Sequence, residues 1–204
     1  MLNKPIDRTP QRRSSVRWAS IVRILGVMLL GALNLRPVLA DDATGKYPAG
    51  IVYGPKAAFQ ISAPQDWVLD TISGGSQGVN CAIYPKGGSW AKSPVVMYAK
   101  IASPENPEKE AFIAFSANNF RKDDRQFRDR VVKKGRSVEG FKFTIKEYDR
   151  PSYPVYEKAF YAQLPNAVAY IVLTAPDVKR RQAAGEQFNF VISSFRYRPE
   201  YFTK

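Results

Sequence analysis

The sequence predicts an α+β fold in which an antiparallel β-sheet of about six strands packs with two main α-helices. Three observations carry this prediction: several segments alternate with the two-residue period of half-buried strands, two segments show helix-start signals, and successive strands are joined by short connections. Short connections favour antiparallel pairing, because a parallel crossover needs about a dozen residues or more. With 45% hydrophobic residues, the chain can build one packed core.

The first strands are recognised by their alternation and by the turns between them. Segments 51–53 and 59–61 flank the turn signal Gly54-Pro55 and predict an opening hairpin. Residues 79–84 and 95–101 each alternate with a two-residue period, so we expect two half-buried strands joined by a Gly-rich loop.

Three further strand candidates follow the charged stretch 121–136. The segment 141–146 shows the clearest alternation between a core face and a solvent face. Segments 155–164 and 167–175 are apolar on both faces. We therefore expect these two to be central strands, covered on each side by helix or loop.

Two helices are predicted from their start signals. Asn106 is expected to cap the first helix, with Pro107 at its first position. Its buried stripe is expected to contain Ala111, Phe112 and Phe115. Asp177 is expected to cap the last helix. The buried face of that helix is expected to contain Phe188, Val191, Ile192 and Phe195.

Residues 1–40 have the pattern of a secretory signal peptide. A basic segment precedes the apolar run 24–33, and Val38-Leu39-Ala40 fits a signal peptidase site. We expect cleavage after Ala40 and one domain over residues 41–204. The apolar run is shorter than the roughly 20 residues of a spanning helix, so no transmembrane anchor is expected after cleavage. Arg12-Arg13 leaves general secretion and twin-arginine export both open.

The opening segments resemble a known family. Phe59-x-Ile61-x-Ala63-Pro64-x-x-Trp67 leads into a Gly-rich segment, and the chain closes with a helix that carries Phe195. This arrangement resembles the PsbP-like superfamily, which includes the extrinsic PsbP subunit of photosystem II, a Ran-binding nuclear-import factor and bacterial envelope proteins such as DcrB. The resemblance covers most of residues 41–204 and implies a PsbP-like sandwich and a non-enzymatic accessory or binding role. It carries over no functional residue.

The charge balance points to the envelope rather than to nucleic acid. The whole chain has a net charge of +13, but residues 1–40 contain seven basic residues and one acidic residue. The remaining chain has 24 basic and 17 acidic residues, a net charge of +7. An exported protein rarely meets nucleic acid, so this excess suits solubility or an anionic envelope component. We expect a periplasmic or secreted protein.

Two short motifs imitate serine hydrolases. Residues 74–78 match the G-x-S-x-G pattern around Ser76, and residues 89–92 match S-x-x-K at Ser89 and Lys92. The chain contains no histidine, so a Ser-His-Asp triad cannot form within it. A flexible loop is the favoured interpretation of the first motif, and chance is the favoured interpretation of the second. No catalytic residue is predicted.

Metal, cofactor and thiol chemistry are not favoured either. Cys81 alternates with apolar residues and is expected to be a buried structural thiol. Without histidine, only carboxylate clusters remain as metal sites, and Asp123-Asp124 lacks the spacing of a calcium loop. The glycine-rich nucleotide motifs are absent from the sequence. We predict no metal and no cofactor.

Two regions are candidates for binding a partner. Trp90 lies in a Gly-rich loop, where a tryptophan either packs on the core or is offered to a partner. The stretch 121–136 contains eight basic and three acidic residues, and is either an electropositive face or a solvated surface of mixed charge. The candidate partner-binding residues are Trp90, Lys86, Lys92, Arg121, Lys122, Arg125, Lys133 and Lys134.

The sequence therefore predicts an exported, non-enzymatic accessory or protein-binding module of the bacterial envelope. A periplasmic small-molecule or glycan binder is the alternative, with a pocket between sheet and helix lined by tyrosines. A histidine-free hydrolase that uses serine and lysine is the third possibility.

Overall fold

The computed structural model describes residues 47–102 and 108–201. The predicted signal peptide and the predicted helix start at Asn106 and Pro107 lie outside these ranges. Among the described residues, no helix is long and apolar enough to cross a membrane.

The strands form two antiparallel sheets. The described residues contain β1 (Ala49–Tyr53), β2 (Ala58–Ser62), β3 (Trp67–Asp70), β4 (Cys81–Pro85), β5 (Val96–Ile101), β6 (Arg128–Arg136), β7 (Lys142–Arg150), β8 (Val155–Gln163), β9 (Val168–Ala175) and β10 (Arg196–Tyr197). The larger sheet has the order β3-β4-β5-β9-β8-β7-β6, and every neighbouring pair is antiparallel. The smaller sheet has the order β1-β2-β10. The predicted fold class is confirmed, with more strands than expected.

The helices and the smaller sheet cover the two faces of the larger sheet. The helices are α1 (Lys109–Asp123), α2 (Val178–Ala183) and α3 (Gly185–Ser193). Apolar residues of β1, β2 and α3 share one core with the larger sheet, whereas residues of α1 share a core with its other face. The central strands β8 and β9 are buried on both faces, as predicted.

The last helix is divided in two. Its start is confirmed, because Oδ1 of Asp177 accepts a hydrogen bond of 2.7 Å from the backbone N–H of Arg180. The single predicted helix is wrong, since α2 ends at Ala183 and α3 begins at Gly185. The buried face is confirmed in part: Phe188 and Val191 are fully enclosed and Ile192 is partly buried. Phe195 is buried too, but it lies beyond the end of α3 at Ser193.

The predicted stripe of α1 needs correction. Phe112 is buried as expected, but Ala111 is exposed and the Phe115 residue is 46% exposed. The side that faces the sheet instead contains Phe112 and Ala117, with Ile113 and Phe120 packed against the same cluster. Ala111 and Phe115 lie on the side of the helix away from the centre of that face, so both are exposed.

Three strands were not predicted from the sequence: β3, β6 and the two-residue β10. Trp67, the last residue of the motif that begins at Phe59, starts β3. The stretch 121–136 was considered as a surface, but its second half forms β6 at the edge of the larger sheet. The polar face of β7 was predicted to face solvent, yet Thr144 and Lys146 are only 4% and 8% exposed because α1 lies over them.

Candidate functional site

A cleft of about 300 Å³ lies between α1 and the outer strands β6 and β7. The helix forms one wall, and side chains on the helix-facing side of the two strands form the other. The ionisable residues that line it are Glu110, Arg121, Asp129, Lys134 and Lys146. Cations therefore outnumber anions in the cleft by three to two. We call it the basic cleft.

Asp129 is held between two of these cations. Its carboxylate accepts a hydrogen bond of 2.7 Å from Nη2 of Arg121 and another from Nζ of Lys146. Burial opposes ionisation of Asp129, but the hydrogen bonds from the two cations hold its pKa below the usual value. Asp129 is therefore an anion at neutral pH, and it fixes both cations at the wall of the cleft.

Lys134 is the cation in the cleft that has no ion-pair partner among the described residues. Glu110 is the other anion, and it is paired with the buried Lys109. Hydrogen bonding to Lys109 lowers the pKa of Glu110, and the charge of Lys134 lowers it further. Lys109 also donates a hydrogen bond of 2.9 Å to Oγ1 of Thr144. Lys134 thus carries a charge that no ion pair among the described residues neutralises.

The structure separates the predicted basic residues. Arg121 and Lys134 line the basic cleft. Lys133 lies on the opposite face of the sheet, because it pairs with Ile145 of the apolar core whereas Lys134 pairs with Thr144 beneath α1. Lys122 and Arg125 are exposed near the C-terminal end of α1. The stretch 121–136 is therefore not one continuous basic face.

Trp90 packs on the larger sheet. Its indole N–H donates a hydrogen bond of 2.9 Å to Oε1 of Gln77, and its ring meets Tyr98 edge-on at 6.2 Å. It is partly buried against a small apolar cluster of β3, β4 and β5. Lys86 and Lys92 are exposed in the same loop region. These contacts favour the packing role for Trp90, one of the two that the sequence left open.

The tyrosines expected to line a ligand pocket lie elsewhere. Tyr148, Tyr161 and Tyr170 are buried beneath α1, and the hydroxyl of Tyr161 donates a hydrogen bond of 3.1 Å to that of Tyr148. Glu157 is the cross-strand neighbour of Tyr148. Burial raises the pKa of Glu157 above its usual value, and the charge of Arg150 lowers it in part. This cluster is core, and the basic cleft contains no tyrosine.

Two residues that share the cleft with Arg121, Asp129 and Lys146, were missed from the sequence. Lys146 belonged to the predicted solvent face of the segment 141–146, and Asp129 was only one of the three acidic residues counted in the stretch 121–136. The order of elements could have indicated this neighbourhood. The last turn of α1 lies close to β6, because only a short connection joins the helix to that edge strand. Alternation cannot distinguish a polar strand face covered by a helix from one exposed to solvent, because both show the same two-residue period.

The serine motifs lie in turns. Ser76 is exposed in a 3-10 turn, Gly75–Gln77, and β4 follows it rather than a helix. Ser89 lies in a turn in which the backbone N–H of Lys92 binds the Ser89 carbonyl at 3.3 Å. In the described ranges, no side-chain hydrogen bond joins either serine hydroxyl to a lysine. The described residues also contain no group of three or more possible metal ligands.

Cys81 is fully buried in β4, as predicted. Burial raises the pKa of its thiol to about 12, with a smaller contribution from the charge of Asp70. We expect a disulfide reagent at pH 8 to modify the native protein about a thousandfold more slowly than the urea-unfolded chain, since the thiolate is the reactive form. The release of the coloured leaving group measures both rates. Similar rates in the two states would contradict a buried structural thiol.

Comparison with known proteins finds likeness only among solved structures. No family model and no curated protein matches the chain. The chain is similar to cyanobacterial PsbP (CyanoP) from Synechocystis sp. PCC 6803, with 12% identity and a TM-score of 0.47 over 78% of this chain and 98% of that chain. It is also similar to PA94, a protein of unknown function from Pseudomonas aeruginosa, with 14% identity and a TM-score of 0.33 over 70% and 94% of the two chains. Membership of the PsbP-like superfamily stays a prediction, whereas the α+β class is evident in the sheets themselves.

Proposed function

We propose that this protein is an exported, non-enzymatic accessory module that binds an acidic protein partner of the cell envelope at the basic cleft. The observation that carries the proposal is the surplus cation Lys134, which has no ion-pair partner among the described residues. An anion that enters the cleft would meet a lysine that no described carboxylate holds in an ion pair. The export of the protein rests on the leader pattern of residues 1–40.

Fixed neighbours support the same site. Arg121 and Lys146 are both held by Asp129, so the cleft keeps its shape before a partner arrives. Binding then costs less conformational entropy than it would for free lysine and arginine side chains. Charged residues such as those of the basic cleft contribute mainly to the specificity and the rate of association with a partner.

A second candidate function uses the same cleft for a small anionic ligand, such as a charged glycan fragment. Its volume of about 300 Å³ favours this candidate, because that is the lower end of the range for small-molecule sites. The partly open, mixed-charge lining is less typical, since such sites are mostly apolar. The protein-binding function therefore comes first.

The test is capture of the protein from its own envelope fraction after mild crosslinking, with proteins and small molecules both identified by mass spectrometry. We expect a stoichiometric protein partner whose recovery falls about tenfold in Lys134→Glu, because charge reversal removes the free cation. Lys56→Glu is the matched control, since Lys56 is exposed in the turn between β1 and β2 and the net charge changes equally.

Two outcomes would contradict the proposal in different ways. Equal recovery of the partner by Lys134→Glu and Lys56→Glu would move the binding site away from the basic cleft. A bound small anion that is lost only in Lys134→Glu, with no protein partner, would make the ligand-binding candidate correct.

A further inference from the structure

Strand β6 presents a long open edge next to the basic cleft. It is the last strand of the larger sheet, it spans nine residues, and no other described strand pairs with its outer side. The opposite edge of that sheet is β3, which has only four residues. An unpaired strand edge exposes backbone N–H and C=O groups that can pair with another extended chain.

The charges of β6 oppose pairing with a copy of itself. Lys133, Lys134 and Arg136 are all exposed in its second half, and a register shift between Val131 and Lys133 interrupts its regularity. Basic residues and bulges are the usual protection against association of edges. Two copies would place like charges opposite one another, whereas an acidic strand would place opposite charges there.

The faces of β6 are distinct. Val131 and Lys134 pair with Lys146 and Thr144, so they lie on the side of the basic cleft. Lys133 pairs with Ile145 and lies on the other side. A strand added outside β6 would continue this alternation, and every second side chain would project on the cleft side of the sheet.

We propose that β6 binds an extended acidic segment of the partner by strand addition, with alternate carboxylates directed to the basic cleft. The inference rests on the proposed function and deepens it by naming the mode and the chemistry of recognition. Backbone hydrogen bonds along β6 supply affinity, and the cleft selects acidic side chains at alternate positions. Val131 is 52% exposed beside Lys134. It therefore contacts the aliphatic stems of the acidic side chains that the added strand directs to the cleft.

The test uses a synthetic peptide, acetyl-Glu-Val-Glu-Thr-Glu-Val-Glu-Thr-amide, and the full chain expressed with its own leader and purified in its processed form. Two further peptides carry N-methyl groups at every glutamate or at every valine and threonine. In an extended peptide, alternate residues direct their backbone N–H groups to opposite edges. Each methylated peptide therefore loses the hydrogen-bond donors of one of its two edges and keeps the net charge of the parent peptide. Binding is measured by NMR titration, with hydrogen exchange of the β6 amides.

Strand addition predicts unequal effects of the two methylations. Only one edge of the peptide pairs with β6, so one methylated peptide should bind about tenfold more weakly while the other binds as the parent does. Lys134→Glu should weaken parent binding about tenfold, whereas its neighbour Lys133→Glu, on the opposite face, should weaken it about two- to threefold. Outer amides of β6 should become protected on binding.

Several results would overturn the proposal. Equal binding of both methylated peptides would mean simple charge attraction. Equal loss in Lys133→Glu and Lys134→Glu would contradict the alternation toward the cleft, and no binding of any peptide would exclude this mode. Protection of the outer β6 amides without peptide would mean that the chain itself or a second copy already occupies the edge. A partner captured through Lys134 would survive each of these failures, so the proposed function is judged separately.

Discussion

Substitution of Arg181 by methionine is expected to lower the free energy of unfolding by about 3 kcal/mol. The guanidinium is enclosed between α2 and the sheet, and it donates hydrogen bonds of 2.5 Å to Asp149 and 3.2 Å to Glu147. It also donates one of 3.2 Å to the carbonyl of Glu157. Methionine keeps the apolar bulk but removes the charge, and the acidic residues are left without their buried partner. Urea unfolding at pH 7 measures the change.

Arg130→Met is the matched control for this prediction. Arg130 binds the same Glu147 with its Nε at 2.9 Å, but its side chain is 69% exposed. We expect a loss of no more than about 1 kcal/mol, because exposed ion pairs contribute little. Equal effects of the two substitutions would mean that the buried position of Arg181 adds nothing to the stability.

The sequence predicts the strands that show alternation or are apolar on both faces. Strands β5, β8 and β9 are of these kinds, because neighbours on one or both sides of the sheet require apolar side chains there. Alternation does not reveal β6. An edge strand that is exposed on both faces can carry charged residues at every position, so no two-residue period appears. Its predominance of arginine and lysine indicates a surface, and does not show which secondary structure forms that surface.

The candidate site could be predicted only in part for a related reason. Arg121 and Lys134 belong to the charged stretch that the sequence singles out, but their place in one cleft depends on how the chain reverses after α1. Lys146 comes from the next strand, and Lys133 leaves the site although it is adjacent to Lys134 in the chain. The spacing of residues along the chain shows which side chains share a face of a strand. Which of the two faces lies toward the cleft is set by how the strand packs with α1 and the rest of the sheet.

Truncation of Phe195 to alanine is expected to lower the free energy of unfolding by about 3–5 kcal/mol, as other phenylalanine truncations in cores do. Its ring lies 5.0 Å from that of Phe59 in β2 and 5.7 Å from that of Phe160 in β8, so it joins the smaller sheet to the larger one. The change leaves a cavity between the two sheets that these neighbours fill only in part. Thermal and urea unfolding measure the loss.

Phe115→Ala provides the matched comparison, because the same atoms are removed from a phenylalanine of α1 that is 46% exposed. We expect a change within about 0.5 kcal/mol, as for surface substitutions in general. A large loss in Phe115→Ala would restore the stripe that the sequence predicted for α1 and would shift the helix about its axis. That rotation would alter the wall of the basic cleft, so this comparison also tests the geometry on which the proposed binding site rests.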